Sequence, residues 1–112
     1  MSTLQDGGNM NDRNEWDPVH TLFRTLSKKW AASVLLSLFP RPLRFAEIQR
    51  EMDCTNPKTL TNTLKLLEEE GLVHREVVAG RPPGVRYDLT ASGRVLTERI
   101  YPLWKWASDR AG

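Results

Sequence analysis

The chain has 112 residues, 39% of them apolar and 27% charged, which suits one folded domain and leaves too little for two. The formal net charge is only +2, so a nucleic-acid role has to be argued from where the cations sit, not from their total. A single cysteine, Cys54, excludes an internal disulfide, and with His20 and His74 far apart no zinc or other metal site is expected.

Residues 1–14 are polar and rich in Gly, Asn and Asp, which reads as a loose tail ahead of one domain spanning 15–112. The tail lacks the apolar stretch of a signal peptide. No segment approaches the roughly 18 apolar residues of a membrane span. A reducing cytoplasm is the expected compartment.

A helix is expected from Asp17-Pro18, with Asp17 as cap and Pro18 in the first turn. Val19, Leu22, Phe23, Leu26 and Trp30 follow at helical spacing. Trp30 to Phe39 is apolar nearly all round, the pattern of a central core helix, and Pro40 and Pro42 end it. Leu43-Arg44 can add one short strand. Phe45 to Met52 reads as a helix with Phe45, Ile48 and Met52 inward.

After a short turn, Asn56 caps a helix that has Pro57 in its first turn, runs to Glu70 and stops at Gly71. Two helices joined so tightly suggest a helix-turn-helix. Leu72–Val78 and Val85–Leu89 then form a hairpin around the Gly- and Pro-rich turn 79–84. Thr90 caps a last helix reaching about Ala111, in which Pro102 is expected to introduce a kink. Its main apolar face is Leu96, Ile100, Leu103, Trp104 and Ala107, with Val95 and Trp106 on a second. The fold class is α+β and mostly helical: a winged helix-turn-helix with a small antiparallel β wing and terminal helices for dimerisation.

The chemistry lies in the segment from Asn56 to Leu67. Leu60, Leu64 and Leu67 share one face, and about half a turn away, at roughly 100° per residue, stand Lys58, Thr61, Asn62 and Lys65. That face offers cations to phosphates and short polar groups to base edges, with no carboxylate before Glu68-Glu69-Glu70. Basic residues first and acidic residues last oppose the helix dipole, as an anionic partner would favour. An ordinary solvated face has the same composition, so this signal alone is weak. The hairpin adds Arg81 and Arg86 around Pro82-Pro83-Gly84, suited to a phosphate backbone or a minor groove.

In this order the pieces resemble the HxlR-type regulators. The resemblance rests on Lys29-Trp30, Arg44-Phe45-Ala46-Glu47-Ile48-Gln49-Arg50, Leu60-Thr61 with Leu64-Lys65 and Leu67-Glu68, Gly71-Leu72-Val73 with Arg75, Pro82-Pro83-Gly84-Val85-Arg86-Tyr87 with Leu89-Thr90, Gly93, and terminal Leu103 and Trp106. It covers about Trp16 to Ala107. It implies a prokaryotic, MarR-like winged-helix homodimer that binds double-stranded DNA and answers a cellular signal, through a small-molecule or redox effector. Four departures stand out. Asp17 occupies the place where many members carry a sensing cysteine. Ser27-Lys28 replaces a glycine pair. Cys54-Thr55 replaces glycine and an apolar residue in the turn. Arg86 stands where glutamate is frequent.

The expected DNA-contacting residues are Arg44, Asn56, Lys58, Thr59, Thr61, Asn62, Lys65, Arg81 and Arg86. The expected dimer contacts are Trp16, Leu22, Phe23, Val95, Ile100, Leu103, Trp104 and Trp106. Cys54 is the one candidate redox residue, although lone cysteines are more often inert packing residues. The four tryptophans, Trp16, Trp30, Trp104 and Trp106, could be read as a ligand cage, but core and dimer contact outweighs that reading. No nucleophile–base constellation suggests an enzyme, and no cofactor is implied. The leading function is a regulator that binds an inverted-repeat operator as a homodimer. The alternative is a winged-helix protein-interaction module without DNA binding. The second gains if Lys58, Lys65, Arg81 and Arg86 scatter or are buried in pairs.

Overall fold

A computed structural model describes residues 13–53 and 56–112, with side chains from residue 16 onward. Its elements in chain order are α1 (Arg13–Leu26), α2 (Ala31–Leu38), β1 (Leu43–Arg44), α3 (Phe45–Met52), α4 (Pro57–Glu69), β2 (Val73–Val78), β3 (Gly84–Leu89) and α5 (Ala91–Ala111). The three strands form one antiparallel sheet in the order β1-β3-β2. β3 therefore lies in the middle, with Tyr87 opposite both Leu43 and Arg75. The fold is the expected winged helix: mostly helical, with a β2–β3 hairpin as the wing.

The core follows from the apolar spacing. Ala31, Val34, Leu35 and Leu38 of α2 are buried, together with Ile48 and Met52 of α3 and Leu60, Leu64 and Leu67 of α4. Leu43, Val73, Tyr87 and Leu89 close the core from the sheet side. Phe45, expected inward, packs half-buried at its edge. The buried threonines satisfy their hydroxyls one helical turn back, Thr63 Oγ1 donating to the Thr59 carbonyl at 2.9 Å and Thr97 Oγ1 to Gly93 at 2.7 Å.

The helix termini explain the boundaries. Asn56 Oδ1 accepts the Thr59 N–H at 2.8 Å, and Pro57 occupies the first turn. At the far end the Gly71 N–H donates to the Glu68 carbonyl and the Leu72 N–H to the Leu67 carbonyl. This paired closure needs a left-handed residue, and Gly71 has φ +74°. Thr90 Oγ1 accepts the Gly93 N–H at 2.9 Å and donates to the Gly71 carbonyl at 2.6 Å. One hydroxyl thus ties the start of α5 to the end of α4. Gly93 lies so close to the Leu72 backbone that a β-carbon there would collide with the Leu72 carbonyl.

Several expectations are corrected. α1 begins at Arg13, not at Asp17, so Asp17 is not its cap and Pro18 lies inside the helix. Pro18 is the sixth residue of the helix, so it removes the N–H that would otherwise pair with the Asn14 carbonyl one turn back. Of the apolar stripe, Val19 and Phe23 are exposed, whereas Leu26, and Trp30 in the turn after α1, pack half-buried against the core. Ile100, expected at the dimer contact, is 7% exposed and belongs to the core. Leu103, expected on the main apolar face of α5 and at the dimer contact, is 60% exposed and takes no part in the core of the described residues. α5 continues as one helix through Pro102.

The molecule measures 56 × 34 × 23 Å, with a radius of gyration of 16.4 Å against about 13 Å for a compact chain of this length. None of the described helices is long and apolar enough to cross a membrane.

Candidate nucleic-acid interface

Burying Leu60, Leu64 and Leu67 forces the opposite face of α4 outward. Lys58, Thr61, Asn62 and Lys65 are all exposed there. The capping at Asn56 leaves the first turn of α4 open to solvent, so its N-terminal half presents both the cations and the short polar groups. Thr59 is half-buried and lies at the edge of this face. Asn56, expected to touch DNA, has its carbonyl oxygen committed to the cap, which leaves only its amide N–H groups for another partner.

A groove of about 380 Å³ runs beside this face, lined by Lys28, Lys29, Trp30, Thr59, Asn62, Thr63 and Leu66. The turn carrying the two lysines is held by hydrogen bonds from the Lys28 N–H to the Thr25 carbonyl and from the Ala31 N–H to the Lys28 carbonyl. Lys29 Nζ lies 5.2 Å from the centre of the Trp30 ring. Lys28 and Lys29 were not among the residues expected to meet DNA. The doublet is visible in the sequence, but its position beside Thr59 and Asn62 depends on how α2 crosses α4.

On the other side stands the wing. Arg81 is exposed at its tip. Arg44, at the end of β1, extends over Gly84, where a side chain would meet its guanidinium. Its own N–H donates to Glu47 Oε1 at 2.8 Å, which fixes the start of α3. Arg86 lies directly opposite Arg44 across the β1–β3 pair and opposite Glu76 across β2–β3. It forms an ion pair with Glu76 at 3.1 Å, and its Nε is buried without a partner among the described residues. Among the described residues Lys58, Lys65 and Arg81 therefore have no ion-pair partner, whereas Arg86 is engaged by Glu76. Cys54, the candidate redox residue, lies outside the described residues. They contain no cluster of three or more potential metal ligands.

An exposed polar-basic helix face thus lies beside a basic turn and a wing. The HxlR-like helix-turn-helix family model matches residues 25–112. The chain belongs to that family. A relative from Methanothermobacter thermautotrophicus, an HTH-type transcriptional regulator, is 35% identical over 100 residues, covering 89% of this chain and 76% of its own. The HTH-type regulator YvaP of Bacillus subtilis is 34% identical over 84 residues, covering 75% and 78%. Among solved structures, a MarR-family transcriptional regulator from Enterococcus faecalis V583 superposes with a TM-score of 0.76 at 31% identity over 93% of this chain and 94% of its own. The redox regulator HypR in its reduced form gives 0.77 at 31% identity over 84% and 93%. This HxlR-like chain is a transcriptional regulator of the helix-turn-helix class and not an enzyme.

Proposed function

We propose that the protein binds an inverted-repeat operator as a homodimer, with α4 as the recognition helix in the major groove. The observation that carries this reading is the outward face of α4, which combines Lys58 and Lys65 with Thr61 and Asn62. Lysines position the helix on phosphates, and the short polar groups suit base edges. Thr59 at the edge of that face, the Asn56 amide at its start, and Arg44 and Arg81 on the wing side complete the contact set. Lys28 and Lys29 extend it along the groove beside Asn62, where a phosphate strand would run. Arg86 joins only by giving up Glu76.

The dimer reading rests on apolar surface the monomer leaves open. Phe23 is 60% exposed, Trp106 58% and Trp104 49%, with Val95 exposed on the same terminal helix. Trp16 and Leu22, half-buried on α1, would border the contact, whereas Ile100 would not take part. Exposed large apolar side chains on both terminal helices suit an association site, and pairing about a two-fold axis would cover them on both copies.

The redox-regulator neighbours favour an effector-controlled regulator, but Asp17 stands where a sensing cysteine is usual, which leaves Cys54 as the only thiol. The protein-interaction alternative draws support from the Arg86–Glu76 pair. Selection of bound fragments from genomic DNA, followed by titration at several salt concentrations, tests the choice. Enrichment of one palindromic sequence, with affinity falling steeply as salt rises, is the expected result. No DNA retained even at low salt would refute it.

A further inference from the structure

A second cavity, of about 360 Å³, lies between α2, α3 and α5 and shares no lining residue with the groove beside α4. Phe39, Tyr101 and Trp104 form a continuous aromatic wall. Tyr101 is 6.5 Å from Phe39 and 5.7 Å from Trp104, centre to centre, with the planes tilted by 30° and 34°. Leu36 and Met52 add apolar surface. Glu51 is the only charged residue of the lining, and no cation pairs with it among the described residues.

Two helix ends reinforce that charge. α2 stops at Leu38 and α3 at Met52, so the electronegative ends of both border the cavity. The first end already holds one cation: Arg94 donates to the Phe39 carbonyl at 3.1 Å, and its guanidinium lies 5.8 Å from the centre of the Phe39 ring. The α3 end, beside Glu51, has no such occupant among the described residues.

We infer that this cavity binds a small organic cation with apolar substituents, such as a quaternary or tertiary ammonium. The aromatic faces and Glu51 would surround the positive charge, and Leu36 and Met52 would take the substituents. The volume is in the range of small-molecule sites. An anion of equal size would meet the Glu51 carboxylate and the electronegative end of α3. The site joins α3, the first helix of the helix-turn-helix, to α5, which carries the exposed dimer residues. An occupant would therefore couple the angle of α5 to the DNA-binding unit. That regulatory consequence rests on the DNA-binding reading above; occupancy itself does not.

Calorimetric titration of the free full-length chain with benzyltrimethylammonium, and separately with phenylacetate, tests the site. Saturable binding of the cation alone is expected, weakened about tenfold by Glu51→Gln and by a similar factor in Tyr101→Leu. Equal binding of phenylacetate, or an unchanged cation affinity in Glu51→Gln, overturns the assignment. So does a wild-type protein that binds no cation while a monomeric Trp106→Glu variant does, because a second copy then fills the cavity. The measurement contains no DNA, so its failure leaves the operator reading standing, and loss of the operator reading leaves this result intact.

Discussion

Lys65 and Asn62 are one turn apart on the same exposed face of α4, yet their chemistry assigns them different work. A lysine ammonium meets phosphates without regard to sequence, whereas an asparagine amide can pair with an adenine edge for about 1–3 kcal/mol of discrimination. Lys65→Ala should therefore weaken binding to every DNA sequence and lower the slope of log affinity against log salt by about one unit. Asn62→Ala should relax preference at particular base pairs and leave that slope nearly unchanged. Fluorescence anisotropy on an operator and on scrambled DNA separates the two. Arg86 adds a third test. Glu76 holds it at 3.1 Å and also places a carboxylate on the wing. Glu76→Gln should tighten binding to all sequences and steepen the salt dependence by about one unit. Because the pair is substantially exposed, thermal stability should hardly change, and a large drop in Tm would contradict this account.

At the level of the elements, the junction between α4, the wing and α5 depends on a few backbone contacts. Thr90 caps α5 through Gly93 and reaches back to the Gly71 carbonyl, so Thr90→Ala removes two hydrogen bonds at once. The expected loss is about 1–2 kcal/mol, read as a lower urea midpoint at unchanged slope. Gly93→Ala should cost about 1–3 kcal/mol or more, because its methyl group meets the Leu72 backbone and not a side chain that could rotate away. If Gly93→Ala proves as stable as wild type, the close approach of α5 to Leu72 is wrong. Helix α5 itself changes character at Ile100. Before it, Gly93, Thr97 and Ile100 face the core; after it, every residue is exposed. The second half of the helix meets the rest of the described residues through Tyr101 beside Phe39 and Trp104 at the cavity edge, and most of its surface is open.

For the whole molecule, that uncovered half is where the proposed dimer is tested. Trp106→Glu places a charge in the proposed dimer contact while touching nothing buried in the monomer. Sedimentation equilibrium should then report a monomer at micromolar concentration, with the far-ultraviolet circular dichroism unchanged. Operator affinity should fall by at least tenfold although the face of α4 is intact, since a dimer places its two recognition helices roughly 34 Å apart on successive turns of the duplex. A Trp106→Glu variant that remains dimeric would move the contact elsewhere, and a wild-type monomer that binds a half-site tightly would remove the dimer altogether.

The sequence by itself determined the elements whose signals are local. Asn56-Pro57 and Gly71 bound α4, Thr90 starts α5, and the leucine spacing of α4 decides which face turns outward, because caps, proline and helical periodicity act within a few residues. α1 starts earlier than Asp17-Pro18 predicts, because a cap-and-proline pair marks a boundary by local rules that the helix from Arg13 overrides at the loss of one backbone hydrogen bond. Tertiary structure alone decided what depends on packing partners distant in sequence. It put Ile100 in the core and left Leu103 exposed on one continuous helix, brought Lys28-Lys29 beside Asn62, and tied Arg86 to Glu76 across the hairpin. Apolar periodicity marks a face to be buried without naming the surface that covers it, and a charge in a sequence does not reveal which opposite charge the sheet register will bring alongside.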